Sequence, residues 1–73
     1  MERNEPLLRR LGLRLTVLRE QRQLTIDDLA ARSGIQAWQL IRIESGQVNI
    51  LFTTILALAR GLGITPQELL ESL

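Results

Sequence analysis

The stretch LTIDDLAARSGIQAWQLIRIESG, residues 24–46, decides the fold. Thr25 can cap a helix with its hydroxyl while Asp28, three residues on, reaches back to the cap amide, which is a capping box. Leu24 just before the cap and Leu29 just inside the helix have the spacing of a hydrophobic staple. This helix is short, because Gly34 soon follows and suits the left-handed position that ends a helix. The small side chain of Ala30 allows another helix to cross closely. Beyond the turn, Ile35 and Leu40 repeat the staple spacing around a start at Gln36, and Leu40 with Ile43 form an apolar stripe. The next helix is expected over about 36–45, with Gly46 as its stop.

Two short helices hinged at one glycine with this spacing are a helix-turn-helix over about 25–45. The flanking sequence extends it on both sides. A first helix starts near Asn4 and Pro6, where a cap residue and a first-turn proline coincide, and its inward stripe is Leu8, Leu11, Leu15 and Leu18. Gly12 within it costs roughly 1 kcal/mol against alanine, so a close helix contact is its expected reason. A fourth helix covers about 51–62, with Phe52, Ile55, Ala59 and Leu62 inward, and ends at Gly61 and Gly63. A fifth opens with Thr65 as cap, Pro66 in its first turn, Glu68 completing a capping box, and Ile64 with Leu69 as staple. The expected fold class is all-α, one compact five-helix domain over residues 1–73.

Within this pattern, Thr25, Leu29, Ala30, Gly34, Ile35, Leu40, Ile43, Glu44 and Gly46 resemble the Cro/repressor-type, XRE-like helix-turn-helix domain. The resemblance continues upstream through LGLRLTVLREQRQL (residues 11–24) and downstream through Phe52, Ile55, Leu58, Ala59, Leu62 and Ile64. It covers about five-sixths of the chain and implies the lambda-repressor-like bundle. Proteins similar to this one include small phage repressors and restriction-modification controllers. The chain departs from that family's habits at Ala37, Trp38 and Ile41, where polar residues are common. It also departs at Gln36, where a serine or threonine cap is common, and at Ile26, where glutamine is.

Composition narrows the function. With no cysteine and no histidine, disulfides, zinc fingers and histidine-based catalysis are excluded. No nucleophile and base pair is visible, and Asp27 with Asp28 reads as helix-start charge, so an enzyme is not expected; nor is a cofactor or a small-molecule ligand. The apolar runs are too short to span a bilayer, and MERNEPLLRR lacks a signal-peptide core, so a cytoplasmic protein is expected. A chain of 73 residues has about a few kcal/mol of stability to spare. Net charge is only +1, yet residues 9–42 hold seven arginines (Arg9, Arg10, Arg14, Arg19, Arg22, Arg32, Arg42) against Glu20, Asp27 and Asp28, a local +4. Residues 43–73 are a local −2. Such asymmetry suits a phosphate backbone.

The resemblance assigns base reading to the outward side chains of the third helix, Gln36, Ala37, Trp38, Gln39, Ile41 and Arg42. Gln39 suits an adenine edge, Arg42 a guanine or phosphate, and Ala37 or Ile41 a thymine methyl. The expected phosphate contacts are Thr25, Ile26, Arg14, Gln47 and Asn49, with amides at the start of the second helix as further anchors. A glutamate near a helix C-terminus opposes the macrodipole unless a cation answers it, and the resemblance pairs Glu44 with Arg19. Ile50, Leu51, Leu56, Leu70 and Leu73 lie off the fourth helix's inward stripe. That surplus predicts a two-fold homodimer built on the last two helices. The expected partners are thus double-stranded DNA, as a palindromic operator, and a second copy of the chain. The alternative is a protein-interaction module or antitoxin that uses Trp38, Ile41 and the fourth helix to grip another protein.

Overall fold

The cap chemistry at Thr25 starts the second helix in the computed structural model, which describes residues 5–71. Thr25 Oγ1 accepts the Asp28 N–H at 3.0 Å, and the Asp28 carboxylate accepts the Thr25 N–H at 2.9 Å. Helix α1 spans Glu5–Gln21, α2 Ile26–Ser33, α3 Ala37–Glu44, α4 Phe52–Leu62 and α5 Pro66–Leu70. The expected cap Asn4 lies outside the described residues. Gly34 closes α2 in the left-handed region with φ 75°, its N–H donating to the Ala30 carbonyl at 2.9 Å. Thr65 and Glu68 repeat the reciprocal cap at α5, at 3.1 and 3.2 Å.

Each helix delivers its apolar stripe to one core. Leu11, Leu15 and Leu18 come from α1, Leu29 from α2, Leu40 and Ile43 from α3, Leu58, Ala59 and Leu62 from α4, and Leu69 from α5. A buried leucine contributes about 1.5–3 kcal/mol through water removed from its surface. Two seams fix the helices around that core. On the first, α1 lies so close to the end of α3 that a Cβ on Gly12 would collide with the Glu44 carbonyl oxygen and stand 2.7 Å from that of Ile43. On the second, Gly61 of α4 faces Ser33 of α2, where a Cβ would stand 3.0 Å from the Ser33 Cβ. Two arginines lock this second seam by answering the carbonyls that end α4. Arg32 Nε donates to Gly61 O at 2.7 Å and Arg22 Nε to Leu62 O at 3.0 Å.

Two of the sequence expectations for α4 need correction. Phe52 is 65% exposed rather than inward, and Leu58 fills the core instead. The α2–α4 seam is anchored at the C-terminal end of α4 by Gly61, Arg22 and Arg32. Ile50, expected on a surplus face, is half-buried and packs against the core from the loop before α4.

Candidate nucleic-acid interface

The site is built on α3, whose inward residues are Leu40 and Ile43 and whose last residue, Glu44, is tied to α1. The Glu44 carboxylate accepts from Arg19 Nε at 2.8 Å, from Arg19 Nη2 at 3.2 Å and from Thr16 Oγ1 at 2.8 Å. Arg19 Nη1 also donates to the Leu24 carbonyl at 2.8 Å, joining the brace to the turn before α2. The hydrogen bond to Glu44 raises the Arg19 pKa above its ordinary value, against the opposing pull of desolvation. With Leu40 and Ile43 in the core and Glu44 tied to α1, helical periodicity sends Trp38, Ile41, Arg42 and Ser45 outward. Trp38 is 59% and Ile41 55% exposed; Arg42 and Ser45 are exposed as well.

The expected base-reading residues divide. Gln36 and Gln39 are exposed, but Gln39 Oε1 accepts the Gln36 N–H at 3.3 Å and so serves the helix start. Ala37 is half-buried, not outward, because it follows the Leu40 and Glu44 side of α3. Ser45 belongs to this face and lay outside the sequence-based expectation. Its position three residues after Arg42 and seven after Trp38 was the available signal, and its hydroxyl donates to the Arg42 carbonyl at 3.0 Å.

The expected phosphate contacts divide too. Gln47 and Asn49 are exposed in the loop after α3. Thr25 is occupied as a cap, and the Ile26 side chain packs against the core. Asp27 and Asp28 stand in the first turn of α2. Hydrogen bonds from Thr25, the backbone amide foremost, hold the Asp28 carboxyl below its ordinary value of 3.8, so it stays anionic. Negative charge there weakens the pull of the α2 amides on a phosphate. Arg14, another expected phosphate contact, donates from Nη2 to the Glu68 carbonyl of α5 at 3.0 Å, on the side of α1 turned away from α3.

The charge asymmetry therefore has a partly structural origin. Arg14, Arg19, Arg22 and Arg32 hold carbonyls or a carboxylate within the fold, whereas Arg9, Arg10 and Arg42 remain exposed. Beside Arg42 lies a groove of about 260 Å³ between α3 and the segment 48–54. Trp38, Gln39 and Arg42 form one wall, and Val48, Asn49 and Leu51 the other. Leu51, expected at a dimer interface, is 71% exposed and borders this groove. Leu56 and Leu70 are exposed, and Phe52 shares the Leu56 face one turn away. Leu73 lies outside the described residues.

The sequence matches a helix-turn-helix family over residues 15–69. Among solved structures it is similar to the restriction-modification controller protein C.AhdI from Aeromonas hydrophila, with a TM-score of 0.83 and 39% identity. That match covers 85% of this chain and 94% of the controller. It is also similar to the apo form of the competence regulator ComR from Streptococcus vestibularis, with a TM-score of 0.82 and 28% identity. There the match covers 90% of this chain but 22% of ComR. No curated protein matches the sequence.

Proposed function

The chain belongs to the helix-turn-helix family, and on that premise we propose that it is a DNA-binding transcription regulator, acting as a homodimer on a palindromic duplex site. The observation that carries this reading is the exposed face of α3. Its anchors are buried or paired, while Trp38, Ile41 and Arg42 stand exposed, with Ser45 at its end, on a helix of the size a major groove admits. The likeness to a restriction-modification controller over nearly its whole length supports a regulatory role. Arg42, Gln47 and Asn49 are the proposed polar contacts to the duplex. Arg9 and Arg10 add positive charge on α1, where this architecture passes near the backbone.

The dimer is proposed on Phe52, Leu56 and Leu70, which expose apolar area that a monomer rarely leaves in water. Two copies would set their recognition helices about 34 Å apart, one turn of duplex. No described helix is long and apolar enough to cross a membrane, and the proposed setting is the cytoplasm, where the duplex is.

The test is to select duplexes from a random pool with the full chain, then titrate the selected duplex at several salt concentrations. Binding that weakens steeply with salt supports the proposal, since release of counterions from several phosphates produces that slope. A chain that ignores every duplex at low ionic strength overturns it. The groove beside Trp38 favours one second reading, a protein-interaction module. That module would bind its partner with little salt dependence.

A further inference from the structure

The outward face of α3 is unusual in what it offers a base pair. Trp38 and Ile41 are neighbours at a three-residue spacing, with side chains about 5–6 Å apart at Cβ, and both are more than half exposed. Arg42 is the single charge on that face. Gln39, the residue suited to grip adenine, has its carbonyl oxygen engaged by the Gln36 amide. A bidentate grip on adenine needs an acceptor for N6–H₂ and a donor for N7 at once. Here the Gln39 oxygen is turned back to its own helix start rather than out along the face.

An A·T pair can be told from the others by a second route. Among the groups on the major-groove edges, the C5 methyl of thymine is the apolar one. Closing Trp38 and Ile41 over such methyls removes apolar surface from water on both partners, and this is favourable without any hydrogen bond. Resting on the DNA-binding reading above, we infer that α3 reads thymine through its methyl group. Trp38 and Ile41 each cover one C5 methyl on nearby base pairs, and Arg42 supplies the polar contact beside them. The substrate is thus a duplex whose half-site presents two thymines to α3.

The test replaces each thymine of the selected duplex by uracil, one at a time, with the full chain titrated at one fixed salt concentration. Loss of one covered methyl should weaken binding about fourfold, the equivalent of about 0.8 kcal/mol. The loss should occur at two positions of each half-site and not at the others. Trp38→Ala should bind the thymine and uracil duplexes alike at its own position, and Ile41→Ala at the other. Both side chains are exposed, so circular dichroism should show the variants folded. Replacing a read thymine by cytosine should weaken binding, and 5-methylcytosine should recover part of the loss. If uracil binds as well as thymine at every position while the selected duplex is still bound, methyl reading is overturned and the regulator reading stands. Methyl reading by these two side chains is likewise overturned if both variants keep the discrimination. If no duplex is bound, both readings fall together.

Discussion

Arg19 and Glu44 meet side on, Nε to Oε2 at 2.8 Å and Nη2 to Oε1 at 3.2 Å, so one guanidinium of α1 holds the side-chain carboxylate of the last α3 residue in a fixed plane. Thr16 takes a further lone pair of the same carboxylate, and both charged side chains are nearly buried. Removing one member of such a pair leaves the other desolvated and alone. Glu44→Ala should therefore lower unfolding free energy by about 3 kcal/mol, the lower end of the range for buried pairs. The double variant Arg19→Met with Glu44→Leu should recover much of that loss, because no orphan charge remains. Urea unfolding of the parent, the Glu44→Ala variant and the double variant checks it. Equal losses in the single and double variants would show that packing, not charge, holds the seam.

Gly12 tests the same seam through the backbone. A methyl group there would collide with the Glu44 carbonyl, and a carbonyl fixed within a helix cannot swing aside as a flexible side chain does. Gly12→Ala gains about 1 kcal/mol of helix propensity on α1, but it must push α3 away. Overpacking of this kind costs about 1–3 kcal/mol. The expected outcome is a lower urea midpoint, together with weaker duplex binding from a displaced α3. A stabilised Gly12→Ala chain would mean that the two helices separate freely.

The start of α2 carries the pH dependence. Hydrogen bonds from Thr25 hold the folded pKa of Asp28 below the ordinary 3.8. The resulting stabilisation is complete above the unfolded value and is lost as pH falls through the lower folded value. Thr25→Ala should remove about 1 kcal/mol at neutral pH by deleting the cap. Asp28→Asn, which removes the titrating carboxylate, should flatten the fall of stability in the acid limb, whereas Thr25→Ala keeps the backbone amide that is the main cause of the shift. Thermal unfolding between pH 2 and 7 measures both, and an unchanged acid limb in Asp28→Asn would locate the titration elsewhere.

What the sequence revealed and what it hid follow from the range of the interactions involved. The capping boxes at Thr25 and Thr65 and the left-handed Gly34 are local, set by residues within a few positions of one another, and so they could be read from spacing alone. Gly12 announced a close contact through its propensity cost, though its partner, the Glu44 carbonyl, lies far along the chain. The arginines were harder. Their charge is visible in the sequence, but whether a guanidinium faces solvent or a helix end depends on tertiary packing. Arg14, Arg22 and Arg32 each reach a carbonyl 29 or more residues away. Phe52 failed for a related reason: it continues the α4 stripe by period, yet it is 65% exposed, and whether a stripe position is covered depends on tertiary packing.

The proposed dimer face gives a prediction independent of DNA. Phe52 and Leu56 lie one turn apart on the exposed side of α4, and Leu70 is exposed on α5. A carboxylate forced into an apolar interface must be desolvated without a partner. Leu56→Asp and Leu70→Asp should each shift the chain to monomer in sedimentation while leaving the helical signal intact, because neither side chain belongs to the core. A Leu56→Asp chain that stays dimeric would move the interface away from α4.

The final prediction separates arginines that serve the fold from those left to a ligand. Arg42 is exposed on the outward face of α3, whereas Arg14 spends its guanidinium on the Glu68 carbonyl and its Nε is buried without a hydrogen-bond partner. If charge alone governed binding, Arg14→Ala and Arg42→Ala would weaken duplex affinity equally, since each removes one unit. If geometry governs it, Arg42→Ala should cost about 1–3 kcal/mol of specific binding. Arg14→Ala should leave affinity for the selected duplex near that of the parent and lower the urea midpoint by loosening α5. Anisotropy titrations of both variants beside their unfolding curves decide between these. A large affinity loss in Arg14→Ala with an unchanged midpoint would restore Arg14 to the phosphate-binding set.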